Sequence, residues 1–127
     1  MPEKGTVLAF DFGLKRIGVA VGEPELRSAH PLGVVYAFSQ IEKLVSEWRP
    51  TQLVVGLPVA EQGPHPLARR VERFARQLKG RYRLPVALVD ERFTSVEAES
   101  RLKGVKNKQV DSVAAQLILE QYFGDAA

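Results

Sequence analysis

Four carboxylates stand where chemistry could be done: Asp11, Asp90, Glu91 and Asp111. Asp11 interrupts the strand-like apolar run "TVLAFDF" (6–12), two residues before Gly13. Asp90 and Glu91 close the run "PVALVDE" (85–91). Asp111 opens the apolar face of "KQVDSVAAQLILEQYF" (108–123), with Ala115, Ile118, Leu119 and Tyr122 following at i+4, i+7, i+8 and i+11. An acid buried on such a face needs a partner. A place in the helix's first turn would offset about 0.3–1 kcal/mol of that cost. Three carboxylates that meet repel one another, and a divalent cation resolves the repulsion. Hard oxygen ligands favour Mg²⁺ or Mn²⁺. Two such ions about 3.5–4 Å apart activate water and stabilise the leaving oxygen in phosphodiester hydrolysis. The chain has no cysteine and only two histidines, His30 and His65. Thiolate metal sites, disulfides and cysteine nucleophiles are thereby excluded.

Each candidate also has a plainer reading. Asp11 could be a hairpin residue whose polar turn starts early. Asp90 and Glu91 are adjacent, so strand alternation sends one of them to the metal side; Glu91 is the first choice and Asp90 the second. Gly13 and Gly18 suit a tight turn or a close backbone approach. Gly56 and Pro58 belong to the "GLP" stretch after the run "QLVVG" (52–56). Lys15, Arg16 and Arg92 would touch phosphates, or would be turn charges and partners of acids. Lys106, Lys108 and the arginines at 69, 70, 73 and 76 would contact nucleic acid, or would form solvated surface. Trp48 and Phe74 fit apolar stripes and read as core. His30 and His65 sit beside prolines in loops, with no companion residue to support catalysis.

The elements that must position these groups follow from periodicity. Thr6 to Phe12 and Ile17 to Val21 read as hairpin strands across the Gly13–Arg16 turn, and Leu32 to Tyr36 as a third strand. "FSQIEKLVSEW" (38–48) carries Ile41, Leu44, Val45 and Trp48 at helical spacing. Ser39 and Glu42 have capping-box spacing at its start, and Arg49-Pro50 stops it. A strand over 52–56 precedes a loop over 57–66. A helix with Leu67, Val71, Phe74, Ala75 and Leu78 on one face ends near Lys79-Gly80. The strand "PVALVDE" follows. "TSVE" (94–97) then caps a short helix through about Leu102, with Thr94 as its cap. The last helix runs from about Lys108 to Phe123. Two strands flanking a helix predict a parallel portion, and the leading hairpin makes the sheet mixed. The expectation is one α/β domain over 1–127, with sites beyond the carboxyl ends of the parallel strands.

Composition agrees. The chain has 127 residues, 45% hydrophobic, with formal net charge +3. Basic residues crowd 67–83, with Glu72 the only acid there, and 101–108, while 90–99 is mostly acidic. Separate basic and acidic patches suit a molecule that grips phosphates and holds divalent metal. No signal-peptide pattern opens "MPEKGTVLAF", and no apolar run approaches the roughly 18 residues of a membrane span. A soluble cytoplasmic protein with no membrane partner is expected.

"AFDFGLKRIGVAVG" (9–22), "VVGLP" (54–58), "DERFTSVEAE" (90–99) and "KQVDSVAAQLILEQYF" (108–123) occur in that order. Together they resemble the YqgF family, also called RuvX, across nearly the whole chain. The resemblance implies an RNase H-like fold: a central mixed five-stranded sheet, its first three strands antiparallel, flanked by helices. It implies catalytic and metal-binding acids at Asp11, Glu91 and Asp111, two Mg²⁺ or Mn²⁺ ions, and a nuclease that processes the 5′ end of pre-16S ribosomal RNA. A resolvase of four-way DNA junctions is the alternative, and it would work as a homodimer; the sequence leaves monomer and dimer both open. A non-catalytic RNA-binding or ribosome-assembly protein is the third reading. Acid-glycine hairpins also open ATPases of the actin and sugar-kinase group, but those enclose nucleotide between two such domains. The loop "VAEQG" (59–63) and the compact "RLKGVKNKQVD" (101–111) depart from the common family pattern.

Overall fold

The computed structural model describes residues 5–58, 60, 63, 65–91 and 107–125, with the backbone alone of 107–109 and 125. Five strands form one sheet: β1 (Val7–Asp11), β2 (Ile17–Glu23), β3 (Ser28–Val35), β4 (Gln52–Pro58) and β5 (Val86–Glu91). Their order across the sheet is β3-β2-β1-β4-β5. β1 pairs antiparallel with β2 and parallel with β4; β2 pairs antiparallel with β3, and β4 parallel with β5. The helices are α1 (Phe38–Trp48), α2 (Ala68–Tyr82) and α3 (Asn107–Asp125). The mixed five-stranded α/β architecture is the expected one.

β1 and β4 are central and covered on both faces, so their apolar runs are continuous. Val7 to Phe10 and Leu53 to Val55 are all buried. Alternation divides their side chains between two core layers. Leu8, Phe10, Leu53 and Val55 pack with Ile41 of α1 and with Val71, Phe74 and Leu78 of α2. Val7, Ala9 and Val54 pack with Ala115, Ile118 and Leu119 of α3.

Several boundaries differ from expectation. β3 starts at Ser28, not Leu32, so His30 and Pro31 are strand residues. Pro31 is tolerated because β3 is an edge strand. The register of the pair slips there: Val19 faces Gly33 while Ala20 faces Pro31, leaving Leu32 as the extra residue. β4 likewise extends through Leu57 and Pro58.

α1 has the expected bounds but a different cap. Its N-cap is Ala37 with no side-chain cap bond. Ser39 lies inside the helix, and Gln40 Oε1 accepts the Tyr36 backbone N–H at 2.5 Å. Gln40 thus ties the chain entering the helix to its first turn, and the Ser39–Glu42 box does not cap it. Arg49 closes α1 in the left-handed conformation, donating its N–H to the Val45 carbonyl. Trp48 is 40% exposed and corrects the core reading, whereas Phe74 is 3% exposed and fits it. The 3.6-residue period fixes a side chain's azimuth but not its depth, and an amphipathic indole at a helix end is well suited to the margin.

α2 passes through Gly80 and ends at Tyr82, where Arg83 caps it in the left-handed conformation. Tyr82 packs against the core, which holds the helix in register beyond the glycine. His65 Nδ1 accepts the Leu67 N–H at 3.0 Å, a local role at the entry to α2. The expected cap and helix over 94–102 lie outside the described residues.

Candidate active site

β1, β4 and β5 run parallel, so their carboxyl ends share one edge of the sheet. Asp11 ends β1, Pro58 ends β4 and Glu91 ends β5. Asp11 pairs with Gly18 of β2, and Pro58 with Glu91. Alternation from Val7 and Ala9 puts Asp11 on the α3 face; alternation from Ala87 and Val89 does the same for Glu91. Asp90 falls on the other side and is exposed. Its carbonyl accepts a hydrogen bond from Gln121 Nε2 of α3 at 2.6 Å.

Two glycines let α3 come down on this edge. A Cβ on Gly18 would collide with the Asp111 backbone carbonyl. A Cβ on Gly56 would stand 2.9 Å from Glu91 Cγ and collide with Ile118. The close approach expected at Gly18 is therefore made to the α3 backbone. Gly13 sits in the β1–β2 turn, where a Cβ would stand 2.6 Å from the Arg16 carbonyl.

The resulting electrostatics centre on Asp11. Its carboxyl is densely surrounded, and burial pushes its pKa well above the ordinary aspartate value of 3.8. The Glu91 charge adds to the shift, as does a side-chain hydrogen bond in which protonated Asp11 donates to Glu91. The Asp111 charge raises it further. Each cause disfavours a second negative charge in a confined space.

Asp111 is not in the first turn of α3, as expected, but one turn in, because the helix begins at Asn107. The helix terminus offers little there, since its field fades within the first turn. The countercharge comes from Arg16, whose Nε donates to Asp111 Oδ2. These residues are 95 positions apart, and no local pattern in the sequence announces the pair. Lys15 is exposed at the turn. Arg92 and Lys106 lie outside the described residues, and only the backbone of Lys108 is described, within α3.

Among the described residues, no three His, Cys, Asp or Glu side chains form a closed metal-binding group. Glu91 and Asp111 both act on Asp11, while Asp111 turns its carboxylate to Arg16. The donor chemistry nevertheless fits a hard divalent cation. Glu91 and Asp111 both raise the proton affinity of Asp11, and carboxylate oxygens are the ligands such a cation takes.

A family profile described as "RuvX: Holliday junction resolvase" matches residues 5–125. The chain belongs to the RuvX family. It is 52% identical to the "Putative pre-16S rRNA nuclease" of Dechloromonas aromatica, over 94% of this chain and 90% of that one. It is 50% identical to the protein of the same name from Methylobacillus flagellatus, over 100% and 99% of the two chains. Among solved structures, Thermus thermophilus RuvC superposes with a TM-score of 0.58 at 14% identity, covering 95% of each chain. The yeast mitochondrial Holliday junction resolvase Ydc2 gives 0.57 at 11% identity, over 92% and 77%. At such identities these two speak for the fold, which is that of the RuvC type. The RuvX assignment and the sheet order agree with the resemblance drawn from the four sequence motifs.

Proposed function

We propose that this RuvX-family chain is a single-domain, metal-dependent endonuclease of the cytoplasm that processes the 5′ end of pre-16S ribosomal RNA. The observation that carries the reading is the gathering of carboxylates at one sheet edge: Asp11 ends β1 and Glu91 ends the parallel β5 on the same face, and Glu91 and Asp111 both raise the proton affinity of Asp11. A divalent cation is one way to relieve that repulsion, and the oxygen donors suit it. The names of the relatives supply the substrate.

Asp11, Glu91 and Asp111 would hold Mg²⁺ or Mn²⁺, two ions in the full site. Bound there, the metal supplies Lewis-acid chemistry at a phosphodiester, leaving 5′-phosphate and 3′-hydroxyl ends. The chain's own residues have separable tasks. Asp11, deprotonated, would offer its carboxylate oxygens as ligands from the end of β1. Glu91 would present its carboxylate from the end of β5. Asp111 would serve the cation in place of Arg16, which would leave the guanidinium free for a phosphate oxygen. Gly18 and Gly56 keep the α3 backbone close enough for Asp111 and Glu91 to serve one site.

The RuvC-like fold and the profile description favour a second reading, cleavage of four-way DNA junctions. A side-by-side assay decides between them. Pre-16S RNA, a four-way junction and single-stranded controls are incubated with Mg²⁺ or Mn²⁺ and either the parent chain or Asp11→Asn. Cleavage of the RNA by the parent alone is the expected result. Junction cleavage with intact RNA selects the second reading. No metal-dependent cleavage of any substrate, with RNA still bound, leaves the non-catalytic binding role.

A further inference from the structure

On the opposite face of the sheet, directly behind Asp11, lies an open depression of about 420 Å³. It is lined by Phe12, Arg70, Arg73, Phe74 and Gln77. We propose that this depression is a second contact region for single-stranded polynucleotide, in which Arg70 and Arg73 hold backbone phosphate and the Phe12 ring takes a base or sugar face. The proposal rests on the nuclease reading for its ligand class, but not on cleavage.

The geometry has three parts. First, Phe12 is partly exposed at the carboxyl end of β1 and braced from behind, its ring centroid 5.1 Å from that of Phe74. Phe74 is itself fixed by Phe10 at 5.9 Å and Phe38 at 5.8 Å. A platform held on one side and open on the other suits stacking, which every base can join. Second, Arg70 and Arg73 are exposed at i and i+3 on α2, so both guanidinium groups rise on the same side of the helix. Among the described residues neither has a carboxylate within ion-pair distance. Planar guanidinium forks match phosphate oxygens, and structural arginines are usually engaged by acids. Gln77, one turn after Arg73, adds an amide that can both donate and accept toward a base edge or a 2′-hydroxyl.

The third part is continuity. Asp11 and Phe12 are consecutive, their Cα atoms about 3.8 Å apart, with side chains on opposite faces. A strand that presents one phosphate to the acids and continues over the sheet edge meets the depression next. The volume is within the roughly 300–1,000 Å³ of sites that enclose one small ligand, which is the scale of a nucleotide. An acidic protein segment would use the arginines but would gain nothing specific from the braced ring.

The test measures binding apart from cleavage. Fluorescence anisotropy follows fluorescein-labelled single-stranded RNA and DNA of one sequence, with Mg²⁺, in an Asp11→Asn background that leaves the oligonucleotide intact. Adding Arg70→Ala with Arg73→Ala is expected to weaken binding about tenfold or more and to lower the slope of log affinity against log salt by about 1.4, two phosphate contacts at about 0.7 each. Phe12→Leu, which stays apolar but removes the ring face, is expected to cost fivefold or more at unchanged salt slope. A control pair, Lys43→Ala with Lys79→Ala, removes equal charge from other exposed positions and should cost less than twofold. Loss on both RNA and DNA identifies backbone and base faces as the ligand; loss on RNA alone adds the 2′-hydroxyl. Circular dichroism confirms folding of each variant. Unchanged affinity of the folded arginine variant overturns the proposal, as do equal losses in the lysine control or no oligonucleotide binding by the background chain. The parent's cleavage assay stands apart: cleavage with a binding-neutral arginine pair rejects only this contact region, and arginine-dependent binding without cleavage rejects only the nuclease reading.

Discussion

Asp11 and Phe12 are neighbours in sequence, yet one joins the α3 side of the sheet and the other the α2 side. On the α3 side, small residues such as Ala9, Gly18, Gly56 and Ala115 bring backbones together and leave room for charge. On the α2 side, Phe10, Phe38 and Phe74 fill the space with rings, and the charges of α2 stay at the surface. The difference teaches where this fold stores unfavourable energy. The aromatic side is held by apolar burial, whereas the acid side sets Asp11 against the charges of Glu91 and Asp111.

The largest effect that would break this contrast is on catalysis. Asp11→Asn should reduce metal-dependent cleavage by more than the roughly 10–100-fold typical of losing an outer-shell partner, because a direct ligand is lost. Gel-based cleavage rates check it; a variant that cuts as fast as the parent removes Asp11 from the mechanism. The same substitution should leave the aromatic side, and hence the folded circular dichroism spectrum, unchanged.

Next in size is the close packing of α3. Gly18→Ala forces the Asp111 carbonyl away from β2 and should cost about 1–3 kcal/mol, as overpacked sites do. Thermal denaturation should show a drop of several degrees. Gly80→Ala is the matched control on the other side, since a Cβ there meets nothing within 4 Å and glycine is a poor helix former. It should be neutral or stabilising.

A subtler contrast is in pH. The folded-state pKa of Asp11 is raised, so the folded chain binds its proton more tightly than the unfolded chain does. The stability this contributes is full below the ordinary value of 3.8 and is lost as pH rises through the raised folded value. Without divalent cation, the parent should therefore lose stability relative to Asp11→Asn as pH rises across that window, measured by urea denaturation. Mg²⁺ should restore the parent at neutral pH and do less for the variant, since binding to the folded state alone stabilises it.

The smallest effect concerns Arg16. Arg16→Ala leaves Asp111 without its partner, but both side chains are about a quarter to a third exposed, at 26% and 30%. The expected loss is about 0.2–1 kcal/mol, with greater sensitivity at low salt. A larger loss would mean that the pair clamps α3 to the hairpin.

Much of the site was legible in the chain because its signals are local. Asp11 stood out as a charge in an apolar strand; strand alternation allowed only one of Asp90 and Glu91 to face the other acids, and Glu91 was the first choice. Asp111 could be placed on the sheet-facing side of its helix from the positions of Ala115, Ile118 and Leu119. The misreadings share one cause. The start of β3, the depth of Trp48, the end of α2 beyond Gly80 and the N-cap of α1 all depend on what packs against them, which local propensity does not contain.

The sequence by itself determined the alternation of strands and helices, the mixed sheet and the membership of the RuvX family, and it named the candidate acids. Periods of 2 and 3.6 residues are properties of the backbone, and they are written wherever apolar residues repeat. Only the tertiary structure decided that Arg16 answers Asp111, that Gly18 and Gly56 yield to α3, and that Phe12 meets Arg70 and Arg73 behind the acids. Those relations join residues far apart in the chain, and they exist only once the sheet has brought its strand ends to a common edge.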